Sequence, residues 1–186
     1  MKVRYIGHSG FLIEWERCYW LFDYYTGDIP RMDAEKKVFV FASHSHGDHF
    51  NPKIFRLRHE YPNIGYILSS DIDLPREDWV SKLVTRVEPE KQYELFDGDN
   101  RSIKLMTLKS TDLGVAFLLS YLGKTIYHAG DLNHWVWKEE TQQYNDDMTA
   151  AFREQMSHLE GLAIDVAFVP LDPRQEEYYH LGLEGL

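Results

Sequence analysis

The sequence lacks cysteine pairs, long apolar runs and an excess of positive charge, and each absence excludes a class of structure. Cys18 is the only cysteine among 186 residues, so an intrachain disulfide and a thiolate metal cluster are both excluded. The longest apolar run, residues 114–123, is far shorter than the roughly 20 residues that span a bilayer, so we expect no membrane insertion. Lys and Arg number 20 against 30 Asp and Glu, and the formal net charge of −10 disfavours binding to nucleic acid.

The N-terminal residues also lack the uninterrupted apolar core of a secretory signal. His8, Glu14 and Glu16 interrupt the apolar stretch at the N-terminus, so we expect a cytoplasmic protein. The composition is 44% hydrophobic and 15% aromatic, which is enough for a core, and the length suits a single domain over residues 1–186. A homo-oligomer is compatible with this composition.

Short runs of β-branched and aromatic residues predict a chain that is largely β-structure. Every residue of 38–42 is apolar, so we expect a strand there that is buried on both faces. The other predicted strands are residues 3–6, 11–15, 19–22, 66–69, 83–87, 92–96, 101–108, 113–121, 124–128 and 164–169.

Three segments have helical features. The pair Asn51-Pro52 suits an N-cap and a first helical turn, which predicts a helix over residues 52–60. Residues 175–186 resemble a helix with no capping signal, so we expect the chain to be a truncated form of a longer protein. A helix within residues 138–159 is predicted by apolar residues at spacings of four, four and three, namely Met148, Phe152, Met156 and Leu159. Strands followed by helices in two successive runs predict an α/β layered sandwich.

A dense group of metal-competent side chains follows the buried strand. Residues 44–49 read His-Ser-His-Gly-Asp-His. Imidazole and carboxylate groups are ligands that zinc, iron and manganese accept, and two such cations close together can share a hydrolytic water. In extended backbone His44 and His46 point the same way, whereas Asp48 and His49, beyond the small Gly47, can turn towards a second position. The segment predicts a metal site, although any single histidine in it could equally belong to an ordinary solvated loop.

The pattern H-x-H-x-D-H after a buried strand resembles that of the metallo-β-lactamase superfamily, and the resemblance covers nearly the whole chain. It implies a four-layer αββα sandwich, truncated here at the C-terminus, with a centre at one edge for two Zn ions, or Mn or Fe instead. It also implies that His44 and His46 hold one metal, that Asp48 and His49 hold the second, and that Asp131 bridges the two. Taken alone, an aspartate that follows a glycine is as readily a turn residue.

Further landmarks of the same family occur in order along the chain. Asp23 closes the run Trp-Leu-Phe-Asp, where the family has a structural aspartate that orders the metal loop. Residues 7–12 (Gly-His-Ser-Gly-Phe-Leu) and 130–133 (Gly-Asp-Leu-Asn) resemble a small bacterial branch of lactonase-like metal-dependent hydrolases. This resemblance implies a small-molecule substrate without naming one.

Two ligands of the family pattern are missing from their expected places. Residues 110–114 read Ser-Thr-Asp-Leu-Gly where the family has a Gly-His-Thr-x-Gly turn, and no C-terminal histidine motif is present. Asp112 could substitute as an oxygen ligand, or it could simply bond its own backbone as loop aspartates do. His8, His128 and His134 adjoin strand ends near the expected centre and are candidates to replace a ligand or to orient one.

These features predict hydrolysis of a small ester, lactone or phosphoester by a metal-activated water, with Asp48 orienting that water or accepting its proton. The two missing ligands leave a degenerate, non-catalytic metal-binding module as an alternative. A nuclease of the same fold is a second alternative, for which residues 56–59 (Arg-Leu-Arg-His) provide a short basic run. A di-iron oxidoreductase is a third, because the ligand types would also suit iron.

Overall fold

The computed structural model describes residues 1–186, and two β-sheets form its framework. The first sheet has six strands in sequence order, of which β1, β2 and β3 are antiparallel neighbours and β3 to β6 are parallel. Its strands are β1 (Lys2–Gly7), β2 (Gly10–Glu14), β3 (Cys18–Phe22), β4 (Lys37–Ala42), β5 (Ile64–Ser69) and β6 (Val84–Val87).

The second sheet has five strands in the order β11-β10-β9-β8-β7. All its neighbouring strands are antiparallel except β10 and β11, which are parallel. Its strands are β7 (Gln92–Phe96), β8 (Ser102–Lys109), β9 (Val115–Tyr121), β10 (Lys124–His128) and β11 (Val166–Phe168). Each predicted strand is therefore present, with its ends shifted by three residues or fewer.

Both faces of the first sheet are buried, which explains why its central strands are almost entirely apolar. Trp20 and Phe22 on β3 point into a cluster of 18 buried residues between the two sheets. Tyr19 and Leu21, which alternate with them, point to the other side, into a second apolar cluster that includes Ile54. Alternate residues of one strand therefore serve two different cores.

Helices cover the outer faces of the two sheets. The predicted helix near residue 52 is a 3₁₀ helix, Pro52–His59, capped by the Asn51 side chain, and α1 (Val80–Leu83) lies on the same side. On the second sheet, α2 (Gln142–Ser157) packs Phe152 and Met156 against the strands. The arrangement is the α/β sandwich predicted from the sequence. None of these helices combines the length and apolar character needed to span a membrane.

The prediction of one continuous helix over residues 175–186 is wrong. Two short 3₁₀ helices occupy this region, Pro173–Tyr178 and Leu181–Gly185. Glu176 has a φ of 52°, which interrupts helical backbone. The side chain of Gln175 is buried and bonds to Asn133 and to the carbonyl of His134, so tertiary contacts determine the path of this segment.

Candidate metal centre

Five loops meet at one end of the sandwich and bring the metal-competent side chains together. The histidine loop follows β4, and Asp23 follows β3. Asp131 lies just after β10, Asp112 lies between β8 and β9, and His8 lies between β1 and β2. Because each loop directly follows or precedes a strand, the two packed sheets fix their relative positions.

The histidine loop is compact. The backbone N–H groups of His49 and Phe50 both donate to the carbonyl of His46, at 3.0 and 2.8 Å. The rings of His44 and His49 are buried, whereas the side chains of His46 and Asp48 are about half exposed, at 51% and 52%. The loop therefore presents two fixed imidazoles from inside and two adaptable ligands from the solvent side.

The candidate ligand atoms fall into two groups. His44, His46, Asp112 and Asp131 form the first group, and His8, Asp48 and His49 form the second. Within each group all ligand atoms lie within 4.8 Å of one another. The division of the four loop residues into two pairs is the one that the family resemblance implied.

Asp131 connects the two groups through its two carboxylate oxygens. Its Oδ2 lies 3.4 Å from His44 Nε2, and its Oδ1 lies 3.2 Å from His49 Nε2. Each oxygen therefore faces the ring nitrogen of a different group, which is the arrangement expected of a bridging carboxylate.

The spacing between neighbouring ligand atoms suits cations between them. In a tetrahedral site with ligand bonds of about 2.0–2.2 Å, ligand atoms lie about 3.3–3.6 Å apart. The two contacts of Asp131 have this spacing within about 0.1 Å. His46 Nδ1 lies 3.6 Å from Asp112 Oδ2, and His8 Nε2 lies 3.3 Å from Asp48 Oδ2.

An unpartnered buried nitrogen provides a direct test of whether the centre fits a metal. Ser43 Oγ donates to Asp23 Oδ2, so it can accept from His44 Nδ1, which lies 3.0 Å away. This assigns the proton to Nδ1 and leaves the lone pair on Nε2, which is buried and has no hydrogen-bond partner. A buried lone pair that faces a carboxylate is unfavourable unless a cation lies between the two. The residues present therefore fit a metal.

The side chain of Asp23 fixes the position of the histidine loop through hydrogen bonds. This fully buried carboxylate accepts hydrogen bonds from the Ser43 N–H at 2.7 Å, from Ser43 Oγ at 2.6 Å and from His49 Nδ1 at 2.8 Å. The last of these directs Nε2 of His49 towards Asp131, as carboxylates behind metal-binding histidines do.

The charges of the centre shift the ionisation of its members. Burial alone would lower the pKa of His49. The hydrogen bonds with Asp131 and Asp23 outweigh the effect of burial and raise the pKa to about 10. Burial raises the pKa of Asp131, and the hydrogen bond and charge of His49 reverse this, so that the pKa lies below its usual value. Burial and the charge of His49 both lower the pKa of His44.

The other candidate residues have different surroundings. His128 Nε2 lies 3.1 Å from the carbonyl of Ser9, so this ring contacts the turn that carries His8 rather than a ligand of the histidine loop. His134 takes no part in either group, because it bonds to Thr149 at 2.7 Å and stacks on Phe152 under α2.

Sequence reasoning missed Ser43 and Asp71. Ser43 links Asp23 to His44, and Asp71 accepts a hydrogen bond of 2.8 Å from the N–H of Ser45 within the histidine loop. The polar Ser43 directly after an apolar strand was a usable signal. No local pattern marked Asp71, because it follows β5, which becomes a neighbour of β4 only in the folded sheet.

A cleft of about 610 Å³ opens on the centre. His8, Asp48, His49 and Asp131 lie on its wall, which continues over Trp135 to the segment after β11. In that segment the Arg174 guanidinium pairs with Asp172. The centre is therefore accessible to a small molecule.

Comparison with known proteins gives consistent matches. The family model of the beta-lactamase superfamily domain matches residues 2–147. A UPF0173 metal-dependent hydrolase of Opitutus terrae is 29% identical over 98% of this chain and 75% of its own length. A protein of the same description from Carboxydothermus hydrogenoformans is 26% identical over 70% of this chain, and the match spans 62% of that protein, less than two thirds.

Solved structures share the fold at low sequence identity. The metallo-β-lactamase SMB-1 superposes with a TM-score of 0.53 at 14% identity, covering 98% of this chain and 83% of that one. The match of the family model to most of the chain, with two packed sheets and a histidine loop after β4, establishes that the chain belongs to the metallo-β-lactamase superfamily.

Proposed function

We propose that the protein is a metal-dependent hydrolase of a small ester, lactone or phosphoester. The observation that carries this proposal is the pair of ligand groups joined by the two oxygens of Asp131, beside the buried, unpartnered Nε2 of His44. The names of the curated relatives, which are metal-dependent hydrolases, support the same activity.

In this proposal, His44, His46 and Asp112 would hold one divalent cation, Asp48 and His49 would hold a second, and Asp131 would be shared between them. Imidazole and carboxylate ligands suit zinc, manganese or iron. Such cations supply Lewis-acid chemistry, since they polarise a carbonyl or phosphoryl group and lower the pKa of water.

The residues of this chain have separate tasks around that chemistry. Asp23 holds the proton on Nδ1 of His49, so that Nε2 is the nitrogen that would give up its proton to bind a cation. Asp131 fixes the distance between the two ligand groups through its two oxygens. The carboxylate of Asp48 is half exposed on the cleft wall, where it can orient a water and accept its proton.

The cleft favours a small substrate. Its volume of about 610 Å³ lies within the range of about 300–1,000 Å³ that is typical of small-molecule sites. The basic run at residues 56–59 supports a nuclease poorly, because Arg58 lies over the ring of Trp79, 4.5 Å from its centroid, and donates to the carbonyl of Phe55.

The substitution His46→Ala tests the proposal. We expect the wild type to hold two equivalents of metal and to hydrolyse at least one member of a panel of p-nitrophenyl esters, lactones and bis(p-nitrophenyl) phosphate. His46→Ala should lose about one equivalent, measured by plasma mass spectrometry, and more than about 100-fold in rate, because even loss of an outer partner of a metal ligand costs about 10–100-fold.

His59→Ala is the matched control, because His59 is exposed on the 3₁₀ helix outside both ligand groups. Metal content and hydrolysis that both survive His46→Ala would refute the proposal. A wild type that holds one equivalent or none would instead indicate a non-catalytic module.

A further inference from the structure

We propose that His8, on the turn between β1 and β2, is a ligand of the second cation. This inference rests on the proposed function for the existence of two cations, and it adds an N-terminal residue to a centre otherwise built from the histidine loop, Asp112 and Asp131. No other imidazole joins Asp48 and His49 in the second group.

The position of the His8 ring is suited to this role. Its Nε2 lies 3.3 Å from Asp48 Oδ2, the spacing of neighbouring ligand atoms around one cation. Its ring centroid lies 5.6 Å from that of His49, with the two rings nearly perpendicular at 84°. The side chain is 50% exposed and lines the cleft, so it can adjust to an incoming cation.

The turn that carries His8 is fixed on both sides of the centre. Ser9 Oγ donates to the backbone carbonyl of Asp48 at 3.2 Å, which connects the turn to the histidine loop. The carbonyl of Ser9 lies 3.1 Å from His128 Nε2, which connects the turn to the end of β10. The two contacts hold the His8 backbone against the second group from separate sheets.

The backbone of His8 is itself unusual. Its φ is 51°, in the left-handed region that residues other than glycine rarely adopt. Five other non-glycine residues of the chain also have a positive φ, so the conformation marks a constrained turn and the assignment rests on the contacts of the ring.

Ligand composition supports the same assignment. The first group contains two imidazoles, the carboxylate of Asp112 and one oxygen of Asp131. With His8 included, the second group also contains two imidazoles and one carboxylate of its own, Asp48, beside the other oxygen of Asp131. Without His8 it would hold a single imidazole and be a much weaker site for zinc.

Metal titration of His8→Asn tests the inference. Asparagine tolerates the left-handed backbone but lacks the imidazole, so the turn should keep its shape. We expect cobalt titration, followed by visible absorption and calorimetry, to give two equivalents for the wild type and one tight equivalent for His8→Asn. The second equivalent should bind more than about 100-fold more weakly, since loss of an outer partner alone costs about 10–100-fold. His8→Ala should behave in the same way, and His59→Ala should match the wild type.

Each other outcome has a distinct meaning. Two equivalents of unchanged affinity in both His8 variants would overturn the inference and leave the proposed function intact. Loss of both equivalents, with the metal-free variants still folded by circular dichroism, would also overturn it, because His8 would then support the whole loop. A wild type that binds two equivalents but hydrolyses nothing would refute the proposed function alone.

Discussion

At the scale of single residues, the centre depends on which atom of each histidine carries the proton. His49 Nδ1 contacts Asp23 and His44 Nδ1 contacts Ser43, so both Nε2 atoms face Asp131. Ser43 itself is fixed by Asp23 through its N–H and its hydroxyl. One buried carboxylate therefore orients two rings of the candidate metal centre.

The substitution Asp23→Asn should weaken metal binding by about 10–100-fold. The amide NH₂ can accept from neither Ser43 Oγ nor His49 Nδ1, so the proton of His49 should move to Nε2 and block metal binding there. Calorimetric titration with cobalt would measure the loss, and Asp146→Asn, on the exposed face of α2, is the matched control. An affinity equal to that of the wild type would contradict this role of Asp23.

At the scale of secondary-structure elements, the histidine loop is positioned by its contact with the second sheet. The N–H of Val115, at the start of β9, donates to the carbonyl of Ser43 at 2.9 Å. Gly114 precedes it with a φ of 72°, and a Cβ added there would lie 2.1 Å from the carbonyl oxygen of Ser43 and 2.6 Å from His44 Cβ. The close approach of the two loops therefore requires glycine at this position.

Gly114→Ala should lower both the free energy of unfolding and the metal affinity. The left-handed backbone alone costs an alanine about 1–2 kcal/mol, and the clash adds to this by displacing His44. Gly123→Ala is the matched control, because Gly123 has nearly the same φ, 73°, but nothing lies within 4 Å of its added Cβ. Urea unfolding and cobalt titration should separate the two variants. If both variants lose the same free energy of unfolding and neither loses metal affinity, the contact with His44 is not what requires Gly114.

At the scale of the whole molecule, we expect metal ions and protons to compete for the candidate centre. The pKa of His49 is raised from 6.5 to about 10, so its contribution to the stability of the metal-free protein is complete below pH 6.5 and is lost as the pH rises towards 10. Asp23 and Asp131 have lowered pKa values, so their contributions are present above about pH 3.8 and are lost as the pH falls. These three groups therefore favour the metal-free fold most between about pH 4 and 6.5.

Cation binding at pH 8 should release about one proton, because His49 must lose its proton to bind. Calorimetry in buffers of different ionisation enthalpy would count the released proton. The apparent metal affinity should also rise by up to about tenfold per pH unit between pH 6.5 and 8. A free cation concentration of about 100 times the dissociation constant should add about 2.7 kcal/mol to the free energy of unfolding. This corresponds to a rise in Tm of roughly 5–10 °C, which a chelator should reverse. No proton release and no shift in Tm would contradict this competition.

The sequence by itself determined the strands, the superfamily and the histidine loop. The reason is that these depend on local patterns, such as apolar runs and the six-residue cluster after β4. The segment near the C-terminus was predicted wrongly as one helix, because buried contacts of Gln175 with distant residues decide its path.

Asp131 was expected at the centre from the family resemblance, but only the tertiary structure decided which of the other candidates join it. His8 and Asp112 lie far apart along the chain, and each alone resembles an ordinary loop residue. The packing of two sheets brings their loops to one end of the sandwich, while it places His134 under α2. Local sequence carries no record of distances between loops, because those distances depend on how both sheets pack over the shared core.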